Sequence, residues 1–241
     1  MIEIRNLSIG YDGKVLLSIP SLDIPDGKLV AILGRNGTGK STFLRTLAAL
    51  QKPLSGSISY DGLATSRMTD LQRASKVAIV TTSRVRVPAI SVRDFVALGR
   101  TPYTDWIGRL SSEDVALVDR AVSLTSLGTL SDRSLDSLSD GECQKVMLAR
   151  AIAQDTPCVL LDEPTSFLDY PNKRQIVSLL KKVAAGSFDE KKCTVIFSTH
   201  DIALALEYCD SILLVNEGNM EFWENSQAAR NRVWRLLDSE R

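Results

Sequence analysis

The sequence predicts an α/β fold: a mostly parallel central sheet with an antiparallel β subdomain at the N-terminus and an inserted α-helical subdomain. Three observations carry that expectation. The run Leu29-Val30-Ala31-Ile32-Leu33 is continuously apolar, as a strand buried on both faces must be, and it leads straight into a glycine-rich loop. The last third alternates apolar runs with helical stretches, the rhythm of parallel strands joined by crossover helices. Between these halves, from about residue 86 to about 155, the period turns helical.

The elements follow in order. Asp12-Gly13 and Asp26-Gly27 are turn signals between alternating stretches, which predicts antiparallel hairpins. After the strand Leu29–Leu33, the loop Gly34–Ser41 opens an apolar-rich helix over Thr42–Leu50, with Pro53 and Gly56 placed to end it. Ser57–Tyr60 followed by Asp61-Gly62 predicts another hairpin, and Val77–Val80 a second buried strand. Ser91 with Asp94 resembles a capping box, and Ser112 precedes an acidic first turn in the same way. Val115, Val118, Val122 and Leu124 give that second helix an apolar face, with Gly128 at its end. The polar stretch Ser131–Ser139 is a loop into another helix from about Gly141. Val159–Leu161, Thr194–Phe197 and Ile212–Val215 read as strands, separated by helices over Asn172–Ala185 and Ile202–Tyr208. With no repeat, low-complexity tract or linker, residues 1–241 read as one domain.

The chain has 241 residues, with 29 Lys plus Arg balancing 29 Asp plus Glu. A zero net charge argues against a sequence-independent grip on nucleic acid, which needs a basic surface to displace counterions. No nucleic-acid partner is expected. The four cysteines, at 143, 158, 193 and 209, lack the close spacing of a zinc site. Cys158 and Cys193 lie in apolar runs and read as core residues of a reduced, cytoplasmic protein. The opening Met-Ile-Glu-Ile-Arg does not read as a signal peptide, and no apolar run approaches the ~20 residues of a membrane span.

Gly34-Arg35-Asn36-Gly37-Thr38-Gly39-Lys40-Ser41 fits the phosphate-binding pattern of Gly, four residues, Gly-Lys-Ser/Thr. Its glycines let backbone N–H groups converge on phosphate oxygens at a helix N-terminus. Gly34, Asn36, Gly37, Thr38, Gly39, Lys40, Ser41 and Thr42 are therefore the candidate ATP-binding residues. Lys40 would reach the β- and γ-phosphates, and the Ser41 hydroxyl a magnesium ion. Val159–Leu161 ends in Asp162-Glu163, an apolar strand emerging into two acids. Asp162 would hold the magnesium through water, and Glu163 would orient or deprotonate the attacking water.

Leu138-Ser139-Asp140-Gly141-Glu142, followed by Asp162-Glu163-Pro164, resembles the signature of ATP-binding cassette (ABC) proteins. Ser166-Phe167-Leu168-Asp169 resembles their D-loop, His200 their switch histidine, and Tyr11 the aromatic that stacks on adenine. The resemblance implies a P-loop NTPase of ABC type, a single nucleotide-binding domain that hydrolyses ATP with Mg2+. It also implies a head-to-tail homodimer, in which Ser139 and Gly141 touch the γ-phosphate held by the other copy. Lys40, Glu163 and His200 become the expected catalytic residues, and Ser41, Asp162 and Thr82 the expected metal-side residues.

Three sites depart from that pattern, the first of them a pair of residues. Thr81-Thr82 stand where the family has Pro-Gln, and a threonine at 82 is too short to reach the metal as glutamine does. It either contacts magnesium indirectly or is a plain strand-end residue. Asp140 replaces the first glycine of the signature and either points away or caps the helix. Cys143 takes a place where a basic residue is common, and its thiol is either reactive beside a helix N-terminus or inert.

From Ser91 onward, and above all at Leu98-Gly99-Arg100 with Pro102-Tyr103, the chain is similar to the ATPases of importers for ferric siderophores, haem and cobalamin. That likeness implies integral-membrane permease subunits, a substrate-binding protein acting through the permease, and a peripheral place on the cytoplasmic face of the inner membrane. A groove beside the segment following Thr82 would receive a cytoplasmic loop of the permease. The sequence leaves open the ATPase of another ABC transporter, a soluble ABC ATPase, and a regulator that binds nucleotide without hydrolysis. Asn216–Arg241, with Trp223 and Trp234, is either a packing helix or part of the dimer contact.

Overall fold

Strict alternation of side chains along the strands divides the apolar core into two layers. In the computed structural model, which describes residues 1–82, 87–188 and 190–238, the run Leu29–Leu33 forms β3 and is buried throughout. Leu29, Ala31 and Leu33 point into one layer, Val30 and Ile32 into the other. A strand with no polar side chain can lie only where both faces are covered. Its flanks are β8 (Thr194–Ser198) and β9 (Ser211–Asn216), both parallel to it. Beyond β8 lie β7 (Cys158–Leu161) and then β6 (Val77–Val80), also parallel.

The N-terminal part is antiparallel. β1 (Ile2–Tyr11) and β2 (Lys14–Ile24) form a hairpin through Asp12-Gly13, with φ of 50° and 77°. These are the left-handed values a two-residue hairpin turn demands. β4 (Ser55–Tyr60) pairs with β1, and β5 (Leu63–Ala64) folds back on β4 through Asp61-Gly62. β10 (Asn219–Glu224) makes a hairpin with β9 and meets β2 in parallel at Asn219 and Ser18. The two regions are therefore one curled sheet, ordered β5-β4-β1-β2-β10-β9-β3-β8-β7-β6 among the described residues.

Helices cover both faces. α1 (Lys40–Leu47) packs Phe43, Leu44 and Leu47 into the layer shared with the N-terminal strands, while α2 (Asp70–Lys76) buries no residue fully and leads into β6. The other layer takes α6 (Tyr170–Ala184), α7 (Ile202–Tyr208) and α8 (Gln227–Asp238). It also takes the three helices found between β6 and β7: α3 (Val92–Ala97), α4 (Ser112–Leu124) and α5 (Asp140–Ala153).

Several boundaries differ from the sequence reading. Asp26-Gly27 is a turn, yet it makes no hairpin: β3 pairs with β8 and β9 rather than with β2. α1 stops at Leu47, because Ala49 turns left-handed (φ 54°) and the Leu50 N–H wraps back to the Arg45 carbonyl at 2.9 Å. Gly56 serves instead as a close approach, since a Cβ there would lie 2.3 Å from the Asn6 carbonyl oxygen. α4 is capped by Ser111, one residue earlier than expected, through a capping box with Asp114. It ends by the same wrap as α1, with Ser126 (φ 58°) rather than Gly128 taking the left-handed position. The C-terminal stretch is part of the fold, supplying β10 and α8.

The segment Leu98–Tyr103 ties the three inserted helices together. Arg100 is 6% exposed, and its Nε donates to Asp114 Oδ1 at 2.8 Å. Its Nη1 donates to the carbonyls of Ala153 and Gln154, at 2.9 and 3.0 Å, closing the C-terminus of α5. The Tyr103 ring lies 4.0 Å from the guanidinium. Gly99 lets this segment touch α5, for a Cβ there would meet the Arg150 carbonyl oxygen at 2.3 Å. The Asp114 carboxyl is lowered to about 2 by hydrogen bonds from Ser111 and Arg100, against the cost of burial.

A depressed carboxylate contributes stability above its unfolded value, near 3.8, and loses it as pH falls through about 2. Asp114→Asn would leave the Arg100 cation buried without its counter-charge, a loss of about 3 kcal/mol or more. Its melting temperature at neutral pH should fall by roughly 6–12 °C. Its acid limb between about pH 4 and 2 should be flatter than that of the parent in thermal melts.

Candidate functional site

Neighbouring parallel strands end at the same edge of the sheet, so whatever follows them in sequence is brought together. β3 runs into the loop Gly34–Gly39, β7 into Asp162-Glu163, and β8 through Ser198 and Thr199 to His200. This is the carboxyl edge of an open α/β sheet, where such folds place ligands.

The loop after β3 is shaped by its glycines. Gly37 and Gly39 have φ of 76° and 98°, which only glycine adopts without strain, and Gly39 is the residue before α1. Gly34 lies so close to β9 that a Cβ would sit 2.9 Å from the Val215 carbonyl oxygen. Lys40 opens α1, is 6% exposed, and folds its Nζ back onto the carbonyls of Gly34 and Arg35, each at 2.8 Å. The Thr38 hydroxyl donates to the same Arg35 carbonyl. Burial pushes the Lys40 ammonium below its ordinary pKa, partly offset by the charges of Glu163 and Asp162.

Tyr11 ends β1 and leans over this loop. It is 49% exposed, with its hydroxyl 3.1 Å from Thr42 Oγ1 on α1. An open cleft of about 280 Å3 runs between Tyr11 and Glu163, lined also by Leu16, Asn36, Gly37, Gly39, Lys40, Ser41 and Thr42. An aromatic face at one end and a cationic, amide-lined loop at the other suit a flat base joined to a chain of phosphates.

The two acids after β7 have different surroundings. Asp162 is 3% exposed, and its Oδ1 accepts from Ser198 Oγ at 2.7 Å. Glu163 is partly open, and its backbone takes the left-handed region at φ 50°, a strain of about 1–2 kcal/mol for a residue with a side chain. Its N–H donates to Ser198 Oγ at 2.9 Å, and its Oε1 meets His200 Nε2 at 2.5 Å. Ser41 and Glu163 line the same cleft, and Asp162 immediately precedes Glu163, so hard-oxygen groups of the kind magnesium takes gather at this strand end. Among the described residues, no three His, Cys, Asp or Glu side chains form a metal cage. Such a set suits an ion that arrives with phosphate oxygens rather than one the protein holds alone.

The remaining sequence-predicted residues lie apart from that cleft. Ser139, not Asp140, caps α5: its Oγ accepts from the Glu142 N–H and donates to Glu142 Oε2 at 2.7 Å. That hydroxyl and the Ser139 N–H hold the Glu142 carboxyl below its ordinary range. A Cβ on Gly141 would sit 3.1 Å from Leu168 Cδ2, so the capped end of α5 packs against the segment following Glu163. Neither Ser139 nor Gly141 lines the cleft beside Lys40. Cys143 faces the carbonyls of Leu135 and Leu138 through weak thiol contacts. Thr82 is exposed just past β6, beside the Asp162 strand end, where the Val80 carbonyl accepts from the Asp162 N–H at 2.8 Å. Residues 83–86, where the expected permease groove begins, lie outside the described residues.

Sequence reasoning missed Ser198 and Leu16. A signal existed for Ser198, as the polar residue that follows the apolar run Val195–Phe197. None existed for Leu16, whose place depends on how the first hairpin curls over α1.

Comparison with known proteins places this geometry in context. Residues 17–166 match the family model described as ABC transporter. A petrobactin import ATP-binding protein of Bacillus subtilis, YclP, is 36% identical over 91% of this chain and 85% of its own length. Among solved structures, a transporter assigned to the metal-chelate type, in an inward-facing conformation, superposes with a TM-score of 0.81. It is 29% identical, with 99% of this chain and 88% of that chain covered. A dimeric ATP-binding cassette bound to ADP and Pi superposes with a TM-score of 0.80 at 27% identity, covering 94% and 99% of the two chains.

Removing the Tyr11 ring should weaken ATP binding at least about fivefold, the lower end of what stacking on a base contributes. Tyr11→Phe keeps the ring and should stay within about twofold of the parent, because stacking uses the ring face and the lost hydroxyl bonds to Thr42 Oγ1 of the chain itself. Titration with a fluorescent ATP analogue separates the two variants.

Proposed function

The chain belongs to the ABC transporter family, and on that premise we propose that it is the ATP-hydrolysing subunit of an importer. The cargo class is a ferric siderophore, haem or a cobalamin-type compound, carried by a separate membrane permease. The chemistry rests on one observation: the phosphate loop, the Asp162-Glu163 pair and His200 meet at the ends of three adjacent parallel strands. The cargo class rests on the petrobactin-import relative and the metal-chelate neighbour, together with the Leu98–Tyr103 segment.

ATP would lie along the cleft, with adenine on Tyr11 and phosphates in the amides of Asn36 to Thr42. Lys40 would exchange its two carbonyl contacts for the β- and γ-phosphate oxygens. Ser41 and Asp162 would hold magnesium, and Thr82 would approach it through a water. When bound, that ion supplies charge neutralisation across the β- and γ-phosphates. Glu163 would orient the attacking water and take its proton. His200 fixes the Glu163 carboxylate by its Nε2 contact and would face the γ-phosphate.

A second copy of the chain completes the site in this reading. Ser139 and Gly141 would reach the partner's γ-phosphate, and the N-terminal amides of α5 would add their field. The structure related to this chain at 27% identity is itself a dimer. Residues 1–241 act as a single nucleotide-binding domain, with the helical part at about 86–155 turned toward the permease. No described helix is long and apolar enough to cross a membrane. The permease would hold this subunit peripherally at the cytoplasmic face of the inner membrane, and a substrate-binding protein would act through that permease.

Glu163→Gln should bind ATP yet turn over at least about 100-fold more slowly, as removal of a general base does. It should therefore run as an ATP-dependent dimer in light scattering; a variant that remains monomeric with saturating ATP would contradict the two-copy site. Cells lacking the gene should lose uptake of one labelled compound among ferric siderophores, haem and cobalamin. A plasmid copy should restore it, and a Lys40→Ala copy should not. Unchanged uptake of every compound tested would remove the importer assignment while leaving the ATPase reading in place.

A further inference from the structure

We infer that Ser198 is a positioning residue for hydrolysis, its one hydroxyl setting the metal-side carboxylate and the water-activating carboxylate relative to each other. The inference rests on the ATPase reading above and assigns a role to a side chain outside the family-like motifs of this chain. Ser198 ends β8, between β3 and β7, and has no exposed surface. Its Oγ stands 2.7 Å from Asp162 Oδ1 and 2.9 Å from the Glu163 N–H.

The protonation is fixed by what faces the oxygen. The Glu163 N–H can only donate, so the serine hydroxyl accepts there and spends its single proton on Asp162. Two consequences follow. Asp162 is anchored through Oδ1, which leaves its other oxygen to turn toward Ser41 and the phosphates. Glu163 takes a left-handed backbone conformation, which is costly for a residue with a side chain, and the Ser198 hydroxyl accepts its N–H there. That conformation aims its carboxylate at His200, where Oε1 and Nε2 are 2.5 Å apart. A carboxylate that must activate water tolerates little displacement, because proton transfer demands hydrogen-bond reach.

A purely structural role predicts lost stability with normal turnover in whatever folds. The positioning role predicts a different pattern. Ser198→Ala should lower kcat about 10- to 100-fold, the usual loss when a group that orients a metal-site ligand is removed. The KM for ATP should stay within about twofold, because the nucleotide contacts lie on Tyr11 and the phosphate loop. Ser198→Thr, which retains the hydroxyl, should restore turnover.

His200 is the only histidine in the chain, so its imidazole resonances report the Glu163 contact without activity being measured. In the alanine variant they should move toward those of Glu163→Gln; in the threonine variant they should return to the parent positions. Should Ser198→Ala not fold, Ser198→Cys is near its size and a weak hydrogen-bonder, and should show the same two losses. Parent-like imidazole resonances together with parent-like kcat in the alanine or cysteine variant would overturn the inference. Absence of phosphate release from the parent protein would instead overturn the ATPase reading, and the imidazole resonances would still decide whether Ser198 sets Glu163.

Discussion

The site depends on the register of three hydrogen-bonded parallel strands. β3, β8 and β7 lie side by side, with Ile32 opposite Ser198 and Leu161 opposite Phe197. Ser198, Asp162 and the start of the phosphate loop therefore arrive at one height by backbone pairing, before any side-chain contact is made. A slip of one residue in β8 would turn Ser198 into the opposite layer and carry Phe197 toward Asp162. Register is secured by burial: every residue of β3, β7 and β8 is enclosed, so a slipped pairing would misplace a full set of apolar side chains.

Around that edge, polar groups are used sparingly and each holds a particular geometry. Lys40, Asp162, Ser198 and Thr199 are enclosed polar side chains at the strand ends, and each has a hydrogen-bond partner. Arg100 plays the corresponding part in the inserted helices. It is buried and paired with Asp114, and it satisfies the last carbonyls of α5. A buried ion pair is an uncertain source of stability, but it admits few alternative arrangements. The N-terminus of α5, which carries Ser139 and Gly141, is thereby joined to a rigid helix end fourteen residues away.

Much of this was legible because the relevant signals are local. The loop Gly34–Ser41, the acids after Val159–Leu161 and the capping serine at 91 each lie within a few residues of the element that explains them. Errors came where two local signals competed. Ser111 and Ser112 both precede the acids of α4, and only the three-residue spacing to Asp114 selects the first. Gly128 looked like the end of α4, yet Ser126 turns left-handed because the wrap onto Val122 requires it there. Asp26-Gly27 gives a correct turn, but no nearby residue says that β8 and β9, more than 150 positions away, will claim β3. Ser198 shows the same limit at the site. Its partners are 35 and 36 positions distant, so its chemistry appears only once the strands are paired.

The seam between β2 and β10 has a mechanical meaning. Only Asn219 and Ser18 are in register there, joined by the Ser18 N–H on the Gly218 carbonyl. Tyr11 belongs to the plate on one side of that line and the phosphate loop to the plate on the other. A molecule lying from the ring of Tyr11 to Lys40 would span the weakest line of the sheet and act as a splint across it. Across that line the sheet is held less by its backbone ladder than by the core layer beneath, where side chains of β1 and β2 pack with those of β3, β8 and β9.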